Sequence, residues 1–356
     1  MIASRDISVV LQGPVRSETP AAVELIRRQL PESELILSTW LDEPAQGLSL
    51  DKIVRSEAPP AFCQHKRSGT MNNLSRLIRS TQAGIACASR PYILKIRSDM
   101  LIENTRFLQT FESQYPQRGS RSILKHKVLI PVIYTRLHYR NFPTPFHFSD
   151  WGSFGLAEDI RLIHNSTPEP DEPCFTEYFL GNEEQSPYGP TTLQMAPEQY
   201  AFWCFYQRHF NDVHMKDCSD ITPDLIEASD DFLASNFIVA DYAHTGWHLP
   251  KYPQSKNEIT EGEAYFGLIS QYPYELRYKK YCDPNFVIAD SPSKRNFDRQ
   301  AYLTALYRLK KHIGHLHHAD RPIQRIEQLF VIPFLIPGVA VGAVKAALKI
   351  KPKRNE

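Results

Sequence analysis

Short apolar runs that stop abruptly at Gly, Pro or charge, separated by helix-length amphipathic stretches, constrain this chain more than any other feature. Ile7-Ser8-Val9-Val10-Leu11 ends at Gln12-Gly13-Pro14, as a buried parallel strand does. Ala21 to Leu30 places Ala22, Leu25, Ile26 and Leu30 near helical spacing and closes on Pro31. Glu34 to Trp40 reads as a second strand, and Ile53-Val54 as a weak third. Met71 to Ala88 reads as a helix with Leu74, Leu77, Ile78 and Ile85 on one face, followed by strands at Tyr92 to Asp99 and Val128 to Ile133. Strands alternating with helices predict an α/β fold, a Rossmann-like, mostly parallel sheet flanked by helices. Past about residue 140 Pro and aromatic residues rise. Loops are expected over 165–173 and 183–192, helices over 198–209 and 298–318, and a strand at 237–239, so a mainly helical C-terminal extension is predicted.

Composition narrows the function classes. The 356 residues suffice for one large or two modest domains. With 42% hydrophobic and 23% charged residues the chain belongs among folded globular proteins, not disordered ones. Lys and Arg total 41 against 40 Asp and Glu, so no overall field exists to hold a polyanion, and no nucleic-acid partner is expected. The six cysteines (63, 87, 174, 204, 218 and 282) form no C-x-x-C pair, which suits free thiols in a reducing cytoplasm. No signal peptide is expected at the N-terminus. At the other end Leu329 to Val344 is almost purely apolar, is interrupted by Pro333 and Pro337, and precedes Lys345, Lys349, Lys351, Lys353 and Arg354. That stretch falls short of the roughly 20 residues a spanning helix needs. It fits an anchor lying on an anionic cytoplasmic leaflet, the bland alternative being a helix packed on the protein's own core.

In an open α/β sheet, ligands bind at the carboxyl ends of the strands. The residues there are Gln12, Gly13 and Pro14; Thr39 and Trp40; and Lys95, Arg97 and Asp99. Neither G-x-G-x-x-G nor G-x-x-x-x-G-K-[ST] occurs, so the dinucleotide and P-loop fingerprints are absent. Lys95, Arg97 and Asp99 alternate and therefore share one strand face. Three charges on one face of a central strand imply either an ion-pair ladder or a pyrophosphate site, with Asp99 holding a ribose or a divalent metal.

A second constellation runs from Phe146 through His147, Phe148, Ser149, Asp150 and Trp151 to Gly155, followed by Glu158 and Asp159 where a helix would begin. Aromatic faces interleaved with His147, Ser149 and Asp150 suit a sugar ring. Glu158 and Asp159 are either dipole complements of the helix start or the source of a general base. Glu198, opening an aromatic helix, reads as a cap, and His312, His315 and His318 as part of a solvated basic surface.

Six blocks carry a resemblance: QGPV (Gln12 to Val15), LSTW (Leu37 to Trp40), NNLSRLIRST (Asn72 to Thr81), KIRSDM (Lys95 to Met100), FHFSDWGSFGLAEDI (Phe146 to Ile160) and PEQY (Pro197 to Tyr200). In this order, over roughly residues 5 to 250, the chain resembles the WavE lipopolysaccharide synthesis family. The resemblance implies a glycosyltransferase of the A-type fold, using a nucleotide-sugar donor to build lipopolysaccharide core or capsule in Gram-negative bacteria. It adds Asn73 and Arg76 to the donor-binding set of Gln12, Gly13, Pro14, Thr39, Trp40, Lys95, Arg97 and Asp99. Acceptor contacts are expected from His147, Ser149 and Trp151. The catalytic base is expected at Asp159, with Asp150 as the rival and Glu158 beside it. Where A-type enzymes carry Asp-x-Asp this chain has Arg97-Ser98-Asp99, so Asp99 is the metal ligand, if Mg or Mn is used at all, and Arg97 could neutralise part of the diphosphate charge.

The expected organisation is a transferase domain over 1–250, with a nucleotide-sugar half (1–135) and an acceptor half (136–250). A helical extension (251–328) and an apolar and basic tail (329–356) follow. The acceptor would be a lipid-linked saccharide, met by a cytoplasmic enzyme peripheral on the inner membrane. Two other classes compete: a non-catalytic carbohydrate-binding or scaffold subunit, which needs the aromatics but not Asp99 or Asp159, and a nucleotidyltransferase.

Overall fold

The run that starts the chain becomes the middle of a sheet. Ile7–Gln12 (β1) is buried along its whole length, with Ile7, Val9, Val10 and Leu11 at 0% exposure, as a parallel strand covered on both faces must be. It pairs in parallel with Glu34–Trp40 (β2) on one side and Tyr92–Arg97 (β4) on the other, Gln12 lying beside Ser38 and Arg97. Lys52–Ser56 (β3) extends the sheet beyond β2. On the far side come Gly152–Leu156 (β6), Val128–Pro131 (β5) and Phe237–Ala240 (β7). The order is β3-β2-β1-β4-β6-β5-β7, and β6 alone runs antiparallel to its neighbours. A computed structural model describes residues 2–65, 69–140, 142–171, 174–189, 191–252, 267–318 and 335–340. This seven-stranded, mostly parallel sheet flanked by helices is the expected α/β architecture and is consistent with a Rossmann-like glycosyltransferase fold.

Helices Thr19–Gln29 (α1), Leu74–Cys87 (α2), Arg106–Ser113 (α3), Ala157–His164 (α4), Pro197–Gln207 (α5) and Pro223–Asn236 (α6) cover the sheet and its connecting loops. Strand β6 escaped the sequence reading because Gly152, Ser153 and Gly155 are poor strand formers. Its glycines are there for space: a Cβ on Gly155 would sit 2.8 Å from Val128 Cγ2.

The two expected halves share one sheet, since β5, β6 and β7 all lie beyond residue 127 and complete what β1 begins. Nor does the chain past residue 250 stand apart. Helix Gln271–Tyr281 (α7) buries Tyr274 and Tyr278 completely, Tyr274 Oη donating to the Phe237 carbonyl at 2.7 Å and Tyr278 Oη accepting from the Gln117 N–H at 2.9 Å. Pro292–Asp298 (α8) and Gln300–His318 (α9) follow, bearing out the helical character predicted there. The apolar and basic tail lies outside the described residues except for helical residues 335–340. Among the described residues no helix is long and apolar enough to cross a membrane.

Candidate active site

The carboxyl ends of β1, β2 and β4 open on a cleft of about 340 Å³ lined by Gln12, Gly13, Pro14, Trp40, Asn73, Arg76, Arg97 and Asp99. The switch in strand order beside β1 makes this the expected ligand position. Gly13 sits at φ +114°, a backbone conformation open to glycine, and its N–H donates to the Ser38 carbonyl at 3.0 Å. Ser98 Oγ donates to the Pro14 carbonyl at 2.6 Å, tying the Gln-Gly-Pro turn to the end of β4. Gln12 is oriented by donating its amide to Ser80 Oγ at 2.8 Å. Arg76 reaches the cleft from the first turn of α2 while donating to the Pro59 carbonyl at 2.7 Å.

Arg97 and Asp99 form a two-pronged pair, Nε to Oδ1 at 2.8 Å and Nη2 to Oδ2 at 2.7 Å. Arg16 Nε stands 3.6 Å from the same carboxylate, and the Arg97 guanidinium lies 4.8 Å over the Trp151 ring. Burial pushes the Asp99 carboxyl up, but Arg97 and Arg16 outweigh it and hold Asp99 below the usual carboxylate range. With both Asp99 oxygens taken by Arg97, and no group of three or more His, Cys, Asp or Glu assembled to hold a metal among the described residues, this arrangement does not fit a divalent cation. The positive charge facing the cleft comes from Arg16, Arg76 and Arg97.

Two of the expected donor residues sit behind the cleft. Lys95 is fully buried and donates to the Asp150 carbonyl, and burial pulls its ammonium down to about 8. Thr39 is fully buried, with its hydroxyl unpartnered among the described residues.

Because β6 runs antiparallel, the residues entering it arrive at the same edge as the residues leaving β4. Asp150 and Trp151 therefore face Arg97 and Asp99 across the cleft. The N-terminus of α5 adds Pro197 and Glu198. Burial raises the Asp150 carboxyl against the pull of Lys95 and Arg97. Burial also raises Glu198 to about 7, with neighbouring Asp150 adding to the effect and the Trp151 indole N–H opposing it. Two carboxyl groups are thus pushed upward in one cleft.

Glu198 and Pro197 also line a second pocket of about 380 Å³, walled by Tyr134, Arg136, Tyr139, His147 and Tyr188. His147 lies here, its Nδ1 2.7 Å from Tyr188 Oη and its Nε2 3.9 Å from Glu198 Oε2. Burial, reinforced by Arg136, keeps the His147 imidazole neutral.

Several expected site residues are not brought to either cavity. Glu158 and Asp159 begin α4, past the end of β6, roughly 13 Å away along the sheet at about 3.3 Å per residue. Asp159 is 2% exposed and accepts from the Lys125 and His126 N–H groups at 2.8 and 2.9 Å, while Glu158 pairs with Lys125 at 2.6 Å. Both are thus tied to a loop and a helix start, and neither lines the cleft or the second pocket, where the catalytic residues were expected to gather. Ser149 shapes a turn: its N–H donates to Thr135 Oγ1 at 3.1 Å, and its hydroxyl accepts from the Trp151 N–H at 3.3 Å. Phe146 and Phe148 are core residues, packed on Tyr206 at 4.7 Å and Phe202 at 5.2 Å between ring centroids. Of the aromatics in that block, only Trp151 reaches the cleft.

The sequence matches the WavE lipopolysaccharide synthesis family over residues 7–311, which spans the sheet, both cavities and the helices to most of α9. The chain belongs to that family. Membership ties it to lipopolysaccharide biosynthesis. The match ends before the apolar and basic tail. No curated protein matches the chain. Glu198, which lines both cavities, is the carboxylate the sequence hid: its PEQY block was visible, but a carboxylate at a helix start has an ordinary dipole explanation. Arg136 and Tyr188 carried no local signal.

Proposed function

We propose that this WavE family member is a nucleotide-sugar-dependent glycosyltransferase of the A-type fold, acting on a lipid-linked saccharide of lipopolysaccharide or capsule assembly. The observation that carries this reading is Glu198, a carboxyl held near 7 in the wall between an arginine-lined cleft and a second pocket. In this mechanism the donor diphosphate lies against Arg97, Arg76 and Arg16, and Trp40 offers a face to the nucleoside. The acceptor hydroxyl approaches from the second pocket and gives its proton to the Glu198 carboxylate. Its oxygen bonds to the anomeric carbon as the bond from that carbon to the diphosphate breaks, the electron pair leaving with the phosphate. The arginines stabilise the charge that develops there, the role a metal ion plays in relatives with a full Asp-x-Asp. Asp150 lines the same cleft, where Lys95 and Arg97 favour its charge and its own charge disfavours that of Glu198. The basic tail would hold the enzyme on the inner leaflet where such acceptors reside.

The test is nucleoside diphosphate release from a panel of nucleotide sugars, with and without membrane-extracted acceptor, in wild type and Glu198→Gln. Acceptor-dependent release lost in the variant supports transfer. Thermal shift adds a binding readout, since a ligand at 100 times its Kd stabilises by about 2.7 kcal/mol. A chain that no nucleotide sugar stabilises is a scaffold instead, and one that releases pyrophosphate is a nucleotidyltransferase.

A further inference from the structure

The second pocket has features that a generic sugar site does not need. His147 is 2% exposed, and its Nε2 is buried without a hydrogen-bond partner among the described residues. Its other nitrogen, Nδ1, lies 2.7 Å from the Tyr188 hydroxyl. With the ring neutral, a Tyr188 O–H donated to Nδ1 leaves the proton on Nε2, as an N–H directed toward the pocket. The Glu198 carboxylate oxygen is 3.9 Å away, too far for a hydrogen bond to that N–H. Two groups so spaced can share one hydroxyl, its oxygen accepting from the imidazole and its proton pointing to the carboxylate, at about 2.8 Å from each.

The pocket also carries a cation, Arg136, close enough to disfavour charge on His147 and favour it on Glu198. The Arg136 guanidinium is stacked 4.8 Å over Tyr134 and 5.3 Å over Tyr139, which fixes its plane at the pocket surface. The same side chain lines an adjoining cavity of about 830 Å³ whose wall includes Arg140 and Arg277, the latter paired with Asp230 at 2.6 Å, so room continues past Arg136 for more of a chain. Tyr134, Tyr139 and Tyr188 line the same pocket, with Tyr134 held between Arg136 and the Trp151 ring stacked on it at 4.3 Å.

We propose that this pocket is the acceptor subsite and that it selects an acidic saccharide, a sugar bearing a carboxylate or phosphate that Arg136 binds while His147 positions the reacting hydroxyl against Glu198. The inference rests on reading the neighbouring cleft as the donor site. It adds the acceptor's chemical class and a positioning residue. The hydroxyl proton passes to Glu198, and the freed oxygen pair forms the bond to the donor's anomeric carbon as the diphosphate leaves with the old bonding pair.

Calorimetric titration of the full chain with methyl glucuronide, glucose 6-phosphate and neutral methyl glucoside tests this, with UDP and GDP titrated into the same preparation. Either acidic probe should bind at least 10-fold more tightly than the glucoside. Arg136→Gln should abolish that preference and Arg136→Lys should keep part of it, with nucleotide affinity unmoved in both. The two acidic probes together tell whether carboxylate or phosphate is the group read. In transfer assays, His147→Leu should raise the acceptor KM and lower kcat, and His147→Gln, which keeps an N–H, should restore much of both. Acidic probes that bind no better than glucoside, or equally well to Arg136→Gln, overturn the inference while nucleotide binding leaves the transferase reading standing. Acidic-probe binding without nucleotide binding does the reverse.

Discussion

Replacing Glu198 by glutamine keeps the shape of the side chain and removes its ionisation, so it separates what the carboxylate does for the fold from what it does for the reaction. In the folded chain the Glu198 carboxyl is held at about 7 against an ordinary value of 4.5, because burial and the neighbouring Asp150 both disfavour its charge. Between those two pH values the folded chain keeps a proton that the unfolded chain has lost, so stability falls as pH rises through this window and is flat above it. At about 1.4 kcal/mol per tenfold, the full penalty is roughly 3 kcal/mol at pH 8 and absent at pH 4. Glutamine bears no such penalty. Glu198→Gln is therefore expected to melt a few degrees higher than wild type at pH 8 and equally at pH 4, while transfer falls by about 100-fold or more and nucleotide binding holds. Wild-type transfer should itself decline as pH drops below about 7, where the base is protonated. Thermal melts at both pH values, beside initial rates, decide the matter. A variant that is less stable than wild type by the same margin at both pH values, or that transfers sugar normally, refutes the assignment of a desolvated base at this position.

Other substitutions probe the remaining assignments. Asp99→Asn removes the carboxylate that clamps Arg97, and turnover should fall on the order of 100-fold with a small change in melting temperature; near-normal turnover would show that Arg97 needs no such partner. Asp159→Asn should keep transfer and lose about 1–2 kcal/mol of stability, because one of its two backbone N–H partners goes unmet; denaturant titration and a rate assay read both, and loss of transfer in a fully folded variant would return the base to this helix. Phe148→Ala should lower stability by about 3–5 kcal/mol through the cavity it leaves among Phe202, Phe232 and Phe237. Acceptor loss in a Phe148→Ala variant of wild-type stability would instead mean that the ring contacts sugar.

The first half of the sheet was legible because its strands obey rules that act within a few residues. Val9, Val10 and Leu11 are apolar on both faces, as a parallel strand between two helical layers must be, and Gln12-Gly13-Pro14 ends the run where the ligand edge lies. The period-2 placement of Lys95 and Arg97 also held, although only Arg97 emerges into the cleft. The second half was less legible for reasons of packing. Gly152 and Gly155 make β6 look like a loop, yet a larger residue at 155 would strike Val128 in the neighbouring strand, a contact no local pattern announces. Likewise Phe146 and Phe148 alternate with polar residues as sugar-stacking aromatics do, and only the arrival of α5, α6 and β7 turns them into core.

The site shows the same limit in its sharpest form. Asp159 and Glu198 have nearly identical local signatures, an acid in the first turn of a helix that follows an aromatic block or precedes one. Sequence chemistry gives no ground for preferring either as the base. Strand direction decides which of them lines the cleft. Running β6 antiparallel carries Asp150 and Trp151 to the ligand edge and carries Glu158 and Asp159 away from it, to the opposite edge of the sheet. A parallel β6 would have done the opposite, placing the α4 helix start over the cleft. Glu198 reaches the cleft because the chain returns from α4 through residues 165–196 and starts α5 at the same edge, against Trp151. In the proposed mechanism the identity of the base is thus a property of topology, set by one reversed strand. Substitutions at Asp159 and Glu198 therefore test the orientation of β6 as directly as they test the chemistry.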